Sequence, residues 1–310
     1  MRHRDEWAGA ASALAGGLVL VIAASLLFPK AVLMPAISQL MPYMALCLFA
    51  PAFVLLALRR RVRAVLVIAV AAFAVGLTWW RFESVAAPRV DPASGGVDFT
   101  LLSFNVLFEN RNAPSAVPYL LSSGADALLL MEASPLRGSI PELMKTYPYK
   151  LGCAGQGECD TLLLSKHPPV STFQATLDAV PHRRYVQFKL DIDGRALNLV
   201  GAHMSKPYFD EIPDYELASL TGRIKALKGP VILAGDFNSA PWSPGLMQLA
   251  ADTGLRFSGF YVSTWPVTAG RFGLPIDHVL TRGAQVLSLE ALPDTFGSNH
   301  RGLLARIRIP

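Results

Sequence analysis

The chain has 310 residues, 52% of them hydrophobic, and a formal net charge of +5 at pH 7. Of its 28 Lys and Arg residues 8 precede Ser84, as do 3 of its 23 Asp and Glu residues, so the remainder carries 20 of each and is neutral. This neutral remainder lacks the excess positive charge of a dedicated nucleic-acid-binding protein, although a local basic patch is compatible with it.

The first third of the chain contains three apolar stretches. Residues 8–28 carry no charge over a length that can cross a hydrocarbon core of ~30 Å. Residues 40–58 form the second stretch, and residues 65–80 form a third that reaches spanning length only with residues 62–64. Because backbone polar groups must be satisfied within a bilayer, we expect each stretch to be a transmembrane helix. The sequence therefore predicts a membrane anchor with three transmembrane helices over residues 1–83.

Positive charge predicts the orientation of this anchor. Basic residues precede the first stretch and separate the second from the third, whereas the connection between the first two holds only Lys30. The positive-inside rule then puts the N-terminus in the cytoplasm and everything after about Arg81 on the other side, which in a bacterium is the periplasm. We expect a multi-pass protein of the inner (cell) membrane, with a cleaved signal peptide as the alternative for the first stretch. The basic residues are Arg2, Arg4, Arg59, Arg60, Arg61 and Arg63.

Two of the three cysteines lie close together in the second part of the chain. Cys153 and Cys159 flank the loop-like sequence Ala-Gly-Gln-Gly-Glu, whereas Cys47 lies in the second apolar stretch. If the predicted orientation holds, the pair faces an oxidising compartment, which favours a disulfide. Two unpaired thiols are the alternative.

Residues 84–97 are rich in Pro, Ser and Gly and are predicted to be a linker. Residues 98–310 are enough for one sizeable α/β domain. Two of its predicted strands meet at Asp193-Gly194, which is typical of a hairpin, and hairpins mixed with helices indicate a mostly antiparallel sheet system covered by helices. The predicted strands are 99–106, 127–131, 161–165, 184–192, 196–202, 231–234, 278–281 and 303–309, and the predicted helices are 116–123, 215–228 and 244–252.

Several predicted strands end or begin at a residue that can bind a metal or a proton. Asp236 and Asn238 follow one apolar run at a spacing of two, which puts both side chains on the same side of an extended chain. Such a pair at the mouth of a buried strand is a plausible place to hold a metal and a phosphate. Each residue alone also fits a turn, a cap or a structural hydrogen bond. The residues at the other strand ends are Asn105, Glu132, His203, Asp277, Asn299 and His300.

These segments, in this order, resemble the endonuclease/exonuclease/phosphatase superfamily, the DNase I-like metal-dependent phosphoesterases. The most specific matches are Ala-Gly-Asp-Phe-Asn at residues 234–238, Ile-Asp-His-Val at 276–279 and Ser-Asn-His-Arg at 298–301. The resemblance covers roughly residues 98–310. It implies a four-layer α/β sandwich, in which two mostly antiparallel sheets are flanked by helices and the site lies at one end of the sheets.

The resemblance also implies a divalent metal. Glu132 should be the main Mg²⁺ ligand, with Asn105 beside it and Mn²⁺ as the alternative ion, because these hard cations prefer oxygen ligands. The chain departs from the family at Asn299, where an aspartate is usual. This exchange replaces a charged ligand by a neutral one, from which we expect weaker or altered metal affinity.

The catalytic roles follow from the same resemblance. Asp236 would orient or deprotonate the attacking water, and Asn238 would hold the phosphate. His203 would hydrogen-bond the phosphate or the leaving oxygen. His300 would face the scissile phosphate, with Asp277 fixing its tautomer and raising its basicity.

The sequence before Asp277 matches the part of the family that forms the substrate-side wall, so Trp265 and Arg271 are candidate substrate contacts; a core position is the alternative for Trp265. We expect a membrane-anchored phosphoester hydrolase acting outside the cytoplasm on a lipid headgroup or another small phosphodiester or monoester. An extracytoplasmic nuclease is the first alternative. A catalytically weakened binding module, suggested by Asn299, is the second.

Overall fold

The computed structural model describes residues 2–88, 95–154, 159–177, 183–207 and 210–310; residues 89–94 of the predicted linker lie outside the described residues. The α-helices are α1 (Arg2–Leu27), α2 (Met34–Gln39), α3 (Met41–Cys47), α4 (Phe49–Ala57), α5 (Arg61–Val85), α6 (Val117–Ser122), α7 (Ile140–Leu143), α8 (Ile212–Ala226) and α9 (Pro244–Thr253). The strands are β1 (Val97–Asn105), β2 (Ala127–Met131), β3 (Tyr149–Leu151), β4 (Leu162–Ser165), β5 (Pro169–Ala175), β6 (Tyr185–Ile192), β7 (Arg195–His203), β8 (Val231–Asp236), β9 (Arg256–Phe257), β10 (Asp277–Arg282), β11 (Gln285–Ala291) and β12 (Leu303–Ile309).

The strands of the described ranges form two sheets of six. The order in the first sheet is β11-β12-β1-β2-β4-β3, and the order in the second is β5-β6-β7-β8-β10-β9. Each sheet has a parallel pair at its centre, β1 with β2 and β7 with β8, while the other neighbours are antiparallel. The sheets are therefore mixed, and a parallel centre brings the carboxyl ends of two strands to the same edge of each sheet.

The two sheets pack face to face on a core of alternating side chains. Leu101 and Leu129 of the first sheet share one buried cluster with Phe188 and Ile232 of the second. A second cluster joins the first sheet to α6 and α7, and a third joins the second sheet to α8 and α9. This confirms the predicted two-sheet α/β sandwich, because burial of both faces of each sheet requires helices on the outside.

The central strands lie where the apolar runs predict them, and the hairpin between β6 and β7 is present. Its turn residues Asp193 and Gly194 have φ values of 52° and 82°, as a two-residue hairpin of the right twist requires. The four strands that the sequence did not predict, β3, β5, β9 and β11, are the edge strands of the two sheets. Strand β5 is largely exposed and so lacks an apolar pattern, β3 and β9 have only three and two residues, and β11 contains a register shift.

Among the described residues, two helices, α1 and α5, are long and apolar enough to cross a membrane by length and composition. The second predicted span, residues 40–58, differs from the prediction. It consists of α3 and α4, which together cover Met41–Ala57 and are interrupted at Leu48. The interruption lies just ahead of Pro51, whose missing N–H removes one helical hydrogen bond. At 1.5 Å per residue the two helices span about 26 Å, slightly less than a typical hydrocarbon core.

Candidate active site

The predicted site residues come together at one edge of the sandwich. Asn105 and His203 end β1 and β7, and Glu132 follows β2 directly. Asp277 begins β10 opposite Asp236 at the end of β8, because these two strands are antiparallel. His300 precedes β12, which runs antiparallel to β1, so it too lies at this edge.

A glycine near the end of β8 lets this strand pack closely against β7. Gly235 has a φ of 140°, and a Cβ at this position would lie 1.8 Å from the carbonyl oxygen of Ala202 on β7. Glycine is therefore required where β7 and β8 approach, which explains its position directly before Asp236. Beyond the strand, Asn238 adopts a φ of 48°, donates its backbone N–H to Asp236 Oδ1 at 2.8 Å and its Nδ2 to the Met204 carbonyl at 2.8 Å. Its side-chain oxygen is left available to the site.

Asn105 connects the two sheets at the site. Its Nδ2 donates to Glu132 Oε1 and to Asp236 Oδ2, both at 3.0 Å. Its Oδ1 accepts the backbone N–H of Leu107 at 3.0 Å, which fixes the orientation of the amide. In this arrangement Asn105 is a donor to two carboxylates, and the predicted role as an oxygen ligand would require its amide to turn over.

His300 and Asp277 form a buried pair. His300 Nδ1 and Asp277 Oδ2 are 2.9 Å apart, which leaves Nε2 facing Asp236 Oδ2 at 3.8 Å. Burial alone would lower the pKa of His300, but the charges of Asp277 and Asp236 and the hydrogen bond to Asp277 outweigh it and raise the pKa to about 9. The imidazole is thus protonated at neutral pH, with Nδ1–H donated to Asp277.

His203 belongs to a second histidine–aspartate pair, with Asp160. Their Nδ1 and Oδ1 atoms are 2.7 Å apart, and Arg184 Nε donates to Asp160 Oδ2 at 3.1 Å. Burial alone would raise the pKa of Asp160, but the hydrogen bond and charge of His203 and the charge of Arg184 lower it to about 2. Burial likewise opposes protonation of His203, but the carboxylates of Asp160 and Asp236 raise its pKa.

Asp160 is held in place by its neighbour in the sequence. Cys159 is fully buried and bonded to Cys153, and the backbone carbonyl of Asp160 accepts the N–H of Ala133, which follows Glu132. The hydrogen bond therefore attaches the backbone of the residue that orients His203 to the strand end that carries Glu132, and the disulfide fixes the preceding residue to the segment after β3.

Both histidines aim at the same carboxylate oxygen. The Nε2 atoms of His203 and His300 lie 3.9 and 3.8 Å from Asp236 Oδ2, and His203 Nε2 lies 4.0 Å from Glu132 Oε1. Burial and the nearby charge of Asp277 raise the pKa of Asp236, although both histidines counteract them. A carboxylate with a raised pKa is a better proton acceptor than an ordinary aspartate, provided that it remains ionised.

These groups open into a cavity of about 610 Å³. Its wall combines the cations of Arg184 and Lys206 with apolar side chains such as Phe108, and it includes Trp265 and Asn299. Arg271 lies on the surface nearby, with its guanidinium 5.2 Å from the ring centre of Phe272, and does not line this cavity.

Sequence reasoning missed two kinds of site residue. Asp160 gave the same signal as Asp277, a carboxylate ahead of an apolar strand, and could have been found by that pattern. Ser298 and Thr264 gave none, because they act on backbone groups. The Ser298 hydroxyl donates to the Asn105 carbonyl and accepts the His300 N–H, and the Thr264 hydroxyl accepts the N–H of Asp277.

Known proteins share sequence or fold with about two thirds of the chain. The sequence model of the Endonuclease/Exonuclease/phosphatase family matches residues 102–300. A UPF0294 protein of Vibrio cholerae serotype O1 is 31% identical over 231 residues, which are 68% of this chain and 78% of that protein.

Solved structures share the fold at low identity. An endonuclease/exonuclease/phosphatase family protein from Bacteroides thetaiotaomicron superposes with a TM-score of 0.56 at 16% identity, over 70% of this chain and 97% of its own. TDP2 from D. rerio, complexed with a single-strand DNA product, gives 0.53 at 14% identity, over 68% and 98%. Sphingomyelinase C from Streptomyces griseocarneus gives 0.50 at 17% identity, over 68% and 99%. Because the family model matches more than half of the chain, the chain belongs to the endonuclease/exonuclease/phosphatase family.

Proposed function

We propose that the protein is a membrane-anchored, divalent-metal-dependent phosphoester hydrolase whose site lies outside the cytoplasm. The observation that carries the hydrolase is the convergence of two histidine–aspartate pairs on Asp236 beside Glu132 in one cavity. This arrangement provides a proton acceptor, two proton donors and a carboxylate for a cation, which is the set that hydrolysis of a phosphoester needs.

The donor set of the site fits a hard divalent cation. Asp236, Asp277 and His300 offer ligand atoms within 4.8 Å of one another, and Asp277 Oδ1 is buried without a hydrogen-bond partner in the described part of the chain. His300 Nδ1, however, is engaged by Asp277. We therefore assign the main ligand role to Glu132, whose Oε1 shares a donor with Asp236. Asn299 lines the same cavity and would be a further, neutral ligand. Bound Mg²⁺ or Mn²⁺ would supply charge neutralisation and positioning of the phosphoryl group.

The side chains around the cation then divide the work of an in-line displacement. Asp236 orients the attacking water and accepts its proton at Oδ2 as the new bond to phosphorus forms. Protonated His300 donates from Nε2 to a phosphate oxygen, and Asn238 holds another. The bond from phosphorus to the leaving oxygen breaks, and His203 supplies the proton from its Nε2.

A lipid headgroup or another small phosphoester is the substrate class that we favour. The cavity is lined by apolar side chains such as Phe108 and Ile212, by the cations of Arg184 and Lys206 and by several carboxylates. The apolar part suits a phosphate attached to an apolar group, and the part of the chain after Ser84 has no excess of positive charge for DNA. The fold serves both classes, since similar structures include a sphingomyelinase and TDP2 with a single-strand DNA product. A nuclease therefore remains the second candidate, and a weakened binding module the third.

The exposed surface of the N-terminal helices supports the membrane anchor. Leu20 of α1 and Phe73 of α5 are 71% and 60% exposed, whereas the core helix of a soluble protein would bury such side chains. Trp79 and Trp80 are exposed near the end of α5 that leads into the sandwich, as is usual for aromatic residues at a membrane interface.

The contacts at the two ends of these helices support the predicted orientation. Arg60 pairs with Asp5 at one end, which gathers the N-terminus and the Arg cluster. At the opposite end, Gln39 in the connection between α1 and α3 and Tyr43 of α3 contact the sandwich. The basic cluster and the site would thus lie on opposite sides of the bilayer.

Replacement of Glu132, the proposed main metal ligand, or of His300 tests the proposed activity. In the purified full-length chain with Mg²⁺, Glu132→Gln and His300→Ala should each lower kcat for a bis-aryl phosphate by about 100-fold or more, because a positioned acid, base or ligand contributes 10²–10⁴. The wild-type chain should release headgroups from phospholipid vesicles faster than it cleaves duplex or single-stranded DNA.

The matched controls are Glu142→Gln, at an exposed position of α7, and His167→Ala, which removes a histidine–aspartate pair at the opposite edge of the first sheet. Both should keep wild-type rates. Faster cleavage of DNA would favour the nuclease, and the absence of hydrolysis with Mg²⁺, Mn²⁺ and other divalent cations would favour the binding module.

The pH profile tests the role of protonated His300. Its pKa of about 9 keeps the imidazolium charged below that pH, so kcat should fall as the pH rises through about 9. Asp277→Asn removes the carboxylate that contributes most to the raised pKa of His300. The alkaline limb of the profile, where kcat falls with rising pH, should therefore move to lower pH. Asp126→Asn, beside His167, should leave the limb in place; an alkaline limb that Asp277→Asn does not move would contradict the assignment.

The orientation can be tested with reporters fused to the chain. Alkaline phosphatase fused after Gly96 should be active, because it would fold in the oxidising periplasm, whereas a fusion after Arg60 should be inactive. A fluorescent protein that folds only in the cytoplasm should give the opposite pattern. Cytoplasmic fluorescence of the fusion after Gly96 would show that the orientation is wrong.

A further inference from the structure

The membrane anchor contacts the loop that follows Asp236 through a buried glutamine. Gln39 ends α2, in the connection between α1 and α3, and is 3% exposed. It contacts residues 238–242, which we call the 238–242 loop and which begin with the phosphate-holding Asn238. The two segments are about 200 residues apart in sequence, so this contact joins the anchor to the sandwich.

Gln39 makes three hydrogen bonds to this loop. Its Oε1 accepts the backbone N–H of Ala240 at 2.9 Å, and its Nε2 donates to the Asn238 carbonyl at 3.4 Å. Its backbone carbonyl accepts the indole N–H of Trp242 at 3.1 Å. Since Ala240 offers a donor and Asn238 an acceptor, only one orientation of the amide satisfies both.

The loop begins in an uncommon backbone conformation that contacts from two sides hold. Asn238 has a φ of 48°, in the left-handed region that asparagine tolerates better than most residues. From the sandwich, His278 Nε2 donates to the Ser239 carbonyl at 2.8 Å. Gln39 bonds the residues on either side of Ser239, so the loop is held between the sandwich and the anchor.

The anchor also contacts the other wall of the site. The Tyr43 hydroxyl donates to the Gly273 carbonyl at 3.1 Å, where the Tyr261 hydroxyl donates at 3.2 Å. Gly273 is followed by Leu274, which pairs with Trp265 in the cavity wall. On the loop side, Phe82 of α5 packs with Ala240 and Trp242 in one apolar cluster.

We infer that Gln39 is a positioning residue for the phosphate-holding loop, so that the hydrolytic site is complete only when the membrane anchor is docked. This inference rests on the proposed function for the role of Asn238. Gln39 does not line the cavity of the site. It acts through Asn238, whose backbone carbonyl it binds and whose side chain faces the reaction.

The test compares Gln39→Leu with wild type in the full-length chain. Leucine keeps most of the volume but removes both side-chain hydrogen bonds. A displaced phosphate-holding group should lower kcat by about 10- to 100-fold, and KM should stay near wild type, because the lost contact supports the transition state. The melting temperature should fall by a few degrees while the protein stays folded, because the Ala240 N–H and the Asn238 carbonyl lose their partner. Gln39→Glu, which keeps an acceptor for Ala240, should recover part of the loss. Gln39→Met provides a second variant without hydrogen bonds.

The matched control is Gln248→Leu, which makes the same exchange on the exposed face of α9 and should keep the wild-type kcat. A wild-type kcat in Gln39→Leu and Gln39→Met would overturn the inference.

Hydrogen exchange gives a readout that does not depend on activity. The amide of Ala240 should exchange faster in Gln39→Leu than in wild type and should be unchanged in Gln248→Leu. The amide of Asn238, whose N–H is bonded to Asp236 Oδ1, should also lose protection in Gln39→Leu. If the wild type hydrolyses no phosphoester, the proposed function fails, while exchange at Asn238 still decides the positioning role. Protection lost in Gln39→Leu supports that role, and protection retained in that variant overturns it.

Discussion

The site depends on a single amide that joins two sheets. Asn105, at the end of β1, donates from one nitrogen to Glu132 of its own sheet and to Asp236 of the other. Without a shared donor, two carboxylates at this distance would repel each other in a buried setting. The bridge keeps the proposed metal ligand and the proposed base in a fixed relation, and the histidine–aspartate pairs are arranged around it.

The two pairs are equivalent in their physics although they come from different parts of the chain. Each aspartate binds Nδ1 of its histidine and leaves Nε2 directed at Asp236. The parallel centre of each sheet makes this arrangement possible, because it brings strand ends to one edge where antiparallel neighbours begin. Asp277 therefore enters the site from the start of a strand, whereas Asp236 enters from the end of one. The N-terminal helical part adds a further support, through Gln39, to the loop that follows Asp236.

Much of the sandwich and of the site could be predicted from the sequence. Apolar runs that end in Asn105, Glu132, His203 or Asp236 indicate buried strands with a common functional edge, and these strands lie as predicted. What local sequence could not supply were contacts through space. The amide of Asn105 faces the carboxylates because its oxygen is taken by Leu107, and Gln39 meets its loop only after the whole chain has folded. The sequence shows Pro51, but a span predicted from apolar composition alone does not take into account that a proline can interrupt the helix.

The most direct test of this account is the rate of Mg²⁺-dependent phosphodiester hydrolysis by the full-length chain carrying Asn105→Leu. The account predicts that kcat falls by about 100-fold or more while the protein stays folded, because the two carboxylates lose their shared donor and a shift of about 1 Å in a catalytic group can cost that much. The reference variant is Asn112→Leu, at an exposed position ahead of α6. A rate near wild type in Asn105→Leu would contradict the claim that both sheets form one hydrolytic centre.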